Sequence, residues 1–308
     1  MPDRRPWAAA AISAAALWLA SAGELGGSAA VPHMPVSAGA ASRPTAGTPS
    51  LAAMLMQDPR GQASARGTPD RRLETNARRL RAVEATLPPT FVLVNIPQAR
   101  LWMVRDGRIE GSMRVVVGQA RQPTPQMTTE LTHVVLNPRW NLPQDVVRTR
   151  LAPAAARSRG RSISKAGYEV MSGWDDDATP VSAGEIDWWA VAAGRLEVPV
   201  RQKPGPANAM GSAKFVMTND AGIYLHDSPD RHLFSRARRT LSAGCVRVED
   251  YRRLVDFLVP HPLPPVRDAG RPTYVRLGKP MPIYLTYITA LASDTGPMLF
   301  PDPYGLDV

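Results

Sequence analysis

The sequence predicts a mainly β chain with helices, an α+β fold, carrying one inserted subdomain. Three observations predict it. Short apolar segments recur between turn signals, as strands do. The 31 prolines break the chain too often for a helical bundle. Between about residues 143 and 209 the strand pattern gives way to a run of different character. A length of 308 residues admits one large domain or two modest ones, and 44% hydrophobic residues are enough for a core.

In chain order, Arg4 and Arg5 precede the apolar stretch Trp7 to Ala20, and Ala20-Ser21-Ala22 offers a small-x-small cleavage site. This predicts a signal peptide over residues 1–22, with export to the periplasm or cell envelope. The stretch falls short of the roughly 20 apolar residues that span a bilayer. No integral span is expected after cleavage, and an uncleaved anchor is the alternative. Residues 23–69, rich in Ala, Gly, Ser and Pro, read as a flexible linker. Within it, Leu51 to Met56 is an apolar patch that docks or forms a brief helix.

Leu73, Ala77, Leu80 and Val83 share one face of a helix over residues 70–86, which Pro88 and Pro89 stop. Strands are predicted at Phe91 to Ile96, Arg100 to Arg105, Ser112 to Val117 and Glu130 to Asn137. Asp106-Gly107 is a type I′ hairpin signal. The insertion holds a helix from Gln144 to Leu151, an acidic turn at Asp175, and Trp188-Trp189, read as its mini-core with a ligand contact as the alternative. Strands resume at Ala213 to Met217 and Gly222 to Leu225. A helix follows over Val248 to Leu258, and closing strands at Thr273 to Leu277 and Met281 to Thr289.

The net charge is +10, and all but four of the 37 basic residues are arginine. A basic chain meets something anionic, or simply uses Arg wherever Lys would serve. No zinc pattern or RNA-binding aromatic motif accompanies the charge, so no nucleic acid partner is expected.

Chemistry concentrates between Ile223 and Arg247. His226 ends a short strand, and fifteen residues later (227–241) comes Ser242-Ala243-Gly244-Cys245-Val246-Arg247. Cys245 is the only cysteine, so no intramolecular disulfide forms. A thiol attacks as thiolate and needs a base, which His226 provides if the two strands are neighbours. Gly244 permits a tight turn, and the N–H groups of Gly244 and Cys245 make a candidate oxyanion hole. A lone Cys or His is commonly structural; the ordered pairing is the stronger signal. Tyr224 shares a strand face with His226, either lining the cleft or in a core. His133 and His232 have no metal-ligand spacing, and no phosphate loop occurs, so neither metal nor cofactor is expected.

These residues resemble the L,D-transpeptidases with the YkuD catalytic domain, whose signature is a His, a gap, then Ser/Thr-His-Gly-Cys-apolar-Asn/Arg. The similarity runs through Leu93 to Pro97, Val115 to Gly118, Pro123-Thr-Pro125, Asn137-Pro138 with Trp140-Asn141, Tyr224 to Asp227, and Tyr284 to Tyr287. It covers roughly residues 73–308 and is greatest toward the YcbB-like branch. One position departs: the usual His is Ala243.

The resemblance implies a YkuD-like β-sandwich built from residues 70–142 and 210–308, with 143–209 as a capping subdomain. It implies 3-3 cross-linking of peptidoglycan through a Cys245 thioester. The donor would be a tetrapeptide stem releasing D-alanine, and the acceptor another stem's diamino acid. Carbapenem-type inhibitors would acylate the thiol. Ser242 would bond within the loop. Arg247 would hold a substrate carboxylate or brace the loop. Asp227 would orient His226 or line the substrate site, unless the neighbouring backbone carbonyl orients the ring. Hydrolysis by the same site, as an L,D-carboxypeptidase or amidase, is one alternative; a non-catalytic wall-binding protein is another. Simple general-base action predicts activity falling below neutrality, and a flat profile between about pH 5 and 8 would contradict it.

Overall fold

The apolar run at residue 91 shows how the fold is assembled. The computed structural model describes residues 50–57, 62–63, 70–175, 177–259 and 270–307; the expected signal peptide and most of the expected linker lie outside them. Strand β1 (Phe91–Asn95) is buried along its whole length. Val92 and Val94 enter a central core with Leu131, Ile283 and Leu285. Phe91 and Leu93 enter a second core with Trp102 and Tyr284. Side chains alternate across a strand, so an unbroken apolar run needs cover on both faces.

Eight further strands complete the sheet: β2 (Arg100–Arg105), β3 (Arg108–Gly118), β4 (Met127–Leu136), β5 (Ala213–Met217), β6 (Tyr224–His226), β7 (Thr240–Ser242), β8 (Val246–Val248) and β9 (Thr273–Thr286). Their order is β7-β3-β8-β6-β5-β4-β9-β1-β2, and β2 pairs back onto β3. The long β3 makes this possible. Its first half pairs with β2, while Val115 and Val116 pair with β8. The sheet thus returns on itself around the central core in a sandwich-like, mainly β arrangement with helices. The β2–β3 turn carries Asp106 at φ 50° and Gly107 at φ 74°, the two positive angles that a type I′ hairpin requires.

Several boundaries differ from the sequence prediction. The apolar patch Leu51–Met56 is helix α1, capped by the Ser50 hydroxyl. Its Leu51, Met54 and Leu55 are buried in the second core, so this part of residues 23–69 is anchored and is not linker. The Gln98 amide donates to the carbonyl of Leu55 at 2.9 Å, closing the helix. Helix α2 (Asp70–Glu84) lies against the same core through Leu80 and Val83. Val246–Val248 is strand, and the following helix begins only at Tyr251, where the Asp250 carboxylate accepts from the N–H of Arg253. The two closing strands are one, β9, with a register shift between Arg276 and Met281. The predicted strand at Gly222 starts at Tyr224, because Gly222 turns at φ 64°.

The inserted residues fold on a four-stranded sheet ordered Trp140–Asn141, Val200–Gln202, Tyr168–Met171, Pro180–Val181. The predicted helix from Gln144 is α-helical only to Val146, then widens to a π turn over Val147–Leu151. Pro153 follows it and has no N–H to continue an α ladder. Trp188 sits in a separate apolar core with Val147, Ile163, Val170 and Val200. Its neighbour Trp189 is 62% exposed, so the mini-core takes only one of the pair. No described helix is long and apolar enough to cross a membrane.

Candidate active site

Strand register places the reactive groups. Leu225 pairs with Val246 and His226 with Arg247, in parallel. Leu225 and Val246 point into the central core. Tyr224, His226 and Arg247 therefore face outward. Cys245, immediately before β8, comes level with Tyr224. His226 lies one diagonal step away, about 7–8 Å for strand neighbours so related. The strand pairing that the His–Cys order requires is thus present.

His226 is buried, and its Nδ1 is 2.6 Å from the backbone carbonyl of Asp227. A carbonyl only accepts, so Nδ1 carries the proton and Nε2 keeps its lone pair. Burial lowers the imidazole pKa to about 3. The charges of Arg247 and Lys214 push the same way, and the Asp227 carbonyl opposes them. The ring is therefore neutral across the physiological range. With a neutral ring throughout, general-base action predicts a level profile there in place of the expected fall below neutrality.

Cys245 is half-buried and free. Burial pushes its thiol pKa up; the Tyr224 backbone N–H and the charges of Lys214 and Arg247 pull it down without cancelling the rise. Both shifts favour a thiol and a neutral imidazole over an ion pair. The turn before Cys245 is tightly held. Ser242 Oγ accepts from Gly244 N–H at 3.2 Å and donates to the carbonyl of Cys245 at 2.6 Å. Both Ser242 contacts lie within the loop. Gly244 N–H, however, is engaged, which removes one of the two expected oxyanion donors. Gly244 sits at φ 115°, where an added Cβ would also press on Ile223 at 3.1 Å. Ala243 is exposed, so a smaller side chain there leaves no internal void.

Two expected substrate contacts are otherwise employed. The Asp227 carboxylate accepts from Ser212 N–H at 2.9 Å and pairs with Arg231 at 3.3 Å. Its backbone, not its side chain, orients His226. Arg247 Nη1 is 2.8 Å from the Asp230 carboxylate and 3.3 Å from Ser228 Oγ. The loop brace is therefore the observed alternative for Arg247.

Three contributors escaped the sequence reading. Thr124 Oγ1 donates to the carbonyl of Gly244 at 2.6 Å and accepts from Gly118 N–H at 2.8 Å. Tyr304 OH donates to the carbonyl of Gly118 and accepts from Thr124 N–H, linking the chain's end to the cysteine loop. The Pro123-Thr-Pro125 motif was a visible signal for the first; nothing local pointed to Tyr304. The third is Lys214, paired across the sheet with His226, its Nζ 3.8 Å from the Tyr224 ring centroid. Only strand register reveals it.

A thiol and a tautomer-fixed neutral imidazole thus share one face of the sheet. The family model for the L,D-transpeptidase catalytic domain, YkuD, matches residues 89–282, and the chain belongs to that family. It is 33% identical over 252 residues to a Haemophilus influenzae protein provisionally named an L,D-transpeptidase, a match covering 77% of this chain and 48% of that protein. The chain thus spans about half the length of that relative. That relative does not support the YcbB-like branch. Among solved structures, an L,D-transpeptidase from Mycobacterium smegmatis is 12% identical, covering 64% of this chain and 58% of that one, with a TM-score of 0.33. L,D-transpeptidase 3 from Mycobacterium tuberculosis, in complex with a faropenem-derived adduct, is 13% identical, covering 65% and 60%, with a TM-score of 0.31. Both are distant likenesses.

Proposed function

We propose that the chain is an exported peptidoglycan L,D-transpeptidase that forms 3-3 cross-links through a thioester at Cys245. The observation that carries the chemistry is the 2.6 Å contact from His226 Nδ1 to the Asp227 carbonyl, beside the family's own cysteine. With that nitrogen protonated, Nε2 takes the thiol proton. The thiolate attacks the carbonyl of the bond between the diamino acid's L-centre and D-alanine. The amide C–N bond breaks, the imidazolium returns its proton to the amine, and D-alanine leaves. The side-chain amine of a second stem then attacks the thioester, loses its proton to His226, and regenerates the thiol. The N–H of Cys245 remains the candidate donor to the oxyanion.

The test is incubation of the purified protein with disaccharide-tetrapeptide, followed by mass spectrometry. A 3-3 linked dimer with released D-alanine is expected. Tripeptide monomer alone would mean that water resolves the thioester, giving an L,D-carboxypeptidase. No product, and no carbapenem adduct at Cys245, would overturn the enzyme reading and favour a wall-binding protein.

A further inference from the structure

The outer sheet face continues past His226 into a groove. Lys214 pairs with His226 on one side and Val135 on the other, and Val135 pairs with Tyr274. The inserted residues form the opposite wall, leaving a cavity of about 240 Å³. That is below the roughly 300–1,000 Å³ of sites that engulf small molecules, and suits one side chain or terminus of an extended peptide. Its charged lining is Arg139, Arg201 and Lys214 against Asp175 alone, with His133 beside them. Arg201 is neutralised by Glu169 at 3.2 Å. Arg139 and Lys214 have no carboxylate partner among the described residues. Burial lowers the pKa of both Lys214 and His133, and the Lys214 charge further depresses that of His133. A half-buried ammonium resting on an aromatic face, with no carboxylate partner among the described residues, is an incomplete site, since ordinary proteins pair such charges. Trp174 and Tyr274, 57% and 65% exposed, add apolar surface to the lining.

We infer that this groove is a carboxylate subsite, in which Lys214 and Arg139 hold a free carboxylate of the peptide substrate while Cys245 addresses its carbonyl. The inference rests on the proposed function and specifies how the substrate is gripped. Lys214 lies two strands from the cysteine, about 10 Å at ordinary strand spacing. An extended peptide rises about 3.3 Å per residue, so the carboxylate recognised lies within about three residues of the attacked bond. Arg247, the nearer cation, is already taken by Asp230.

The test compares a tetrapeptide stem carrying free side-branch carboxylates with the same peptide amidated there. The wild-type protein should favour the free acid by about tenfold in kcat/KM, chiefly through KM, the scale of one charged hydrogen bond. Lys214→Met should erase that preference, Lys214→Arg should retain most of it, and Arg139→Met should reduce it. Equal loss on both peptides in Lys214→Met, with the preference intact, would overturn the inference and leave Lys214 tuning the thiol or the fold. No preference in an active wild-type protein would also overturn it. Failure of the wild-type protein to turn over either peptide would instead count against the proposed function. In that case binding of the two peptides to Cys245→Ala decides the groove: tighter binding of the free acid supports it, and equal binding rejects it.

Discussion

The molecule handles buried charge in two opposite ways. Where α2 meets the chain's end, the Asp307 side chain is 2% exposed and Arg72 and Arg79 reach it at 2.9 and 2.6 Å. Asn76 and Thr289 complete the set. Each of these side chains has a hydrogen-bond partner there. On the outer face of β5, β6 and β8, by contrast, Lys214 has no carboxylate partner among the described residues, and burial drives His226 toward its neutral form. The first arrangement holds two segments together; the second leaves capacity for something not in the chain. Satisfied charge marks structure and unsatisfied charge marks a site.

The largest effect that separates the two regions is expected from the thiol. Cys245→Ala should lower turnover by about 10⁴-fold or more, as removal of a nucleophile does, and abolish the carbapenem mass adduct. Its melting temperature should hardly move. A retained adduct would place the chemistry elsewhere. Asp307→Ala is the mirror experiment. Two arginines lose a buried partner, and because both are about one-fifth exposed the cost is discounted to about 2–3 kcal/mol. A melting temperature lower by about 5 °C is expected, with kcat per folded molecule intact. An unchanged melting point would show that the clamp contributes nothing.

Gly244→Ala probes the seam between stability and activity. A Cβ at φ 115°, 3.1 Å from Ile223, strains the turn by about 1–3 kcal/mol. Because Ser242 and Thr124 fix that turn to its neighbours, the strain should displace Cys245. Expected is about a tenfold fall in acylation rate with a small loss of stability. An unaltered rate would mean that the loop tolerates the change without moving the thiol.

How far the sequence reaches follows the same division. Apolar runs gave Arg100–Arg105 and Ala213–Met217 to the residue, because burial on one or two faces is written locally; β3 and β4 begin four and three residues before their predicted starts, and the short strands of the inserted sheet were not predicted. His226 and Cys245 were legible because their order and the turn glycine are local too. What escaped was set by register. Lys214 is twelve residues from His226 in sequence and beside it in the sheet. Tyr304 braces Gly118 across 186 residues. Arg247 and Asp227 were visible as charged residues near the site. Their partners Asp230, Ser212 and Arg231 depend on the path of the loop, which no periodicity reports. The α1 patch was legible as apolar and as a docked or helical segment, but its cover was not, since that comes from residues far along the chain, Ile288, Leu291 and Phe300.

The smallest expected effect concerns pH, and its sign follows from His226. The imidazole pKa is about 3 in the folded chain and about 6.5 in the unfolded one. Between those values the unfolded state binds the proton and the native state does not. Stability therefore falls as pH drops below about 6.5, by about 1.5 kcal/mol on reaching pH 5. Above pH 7 the term vanishes. His226→Gln should flatten this limb of the stability profile, measured by denaturant unfolding at pH 5 and pH 7. Acylation by a carbapenem should meanwhile stay level from pH 5 to 8, since the base remains neutral throughout. A rate that halves near pH 6.5 would show an imidazole titrating as if in water, and would place His226 in contact with solvent rather than beneath Arg247 and Lys214.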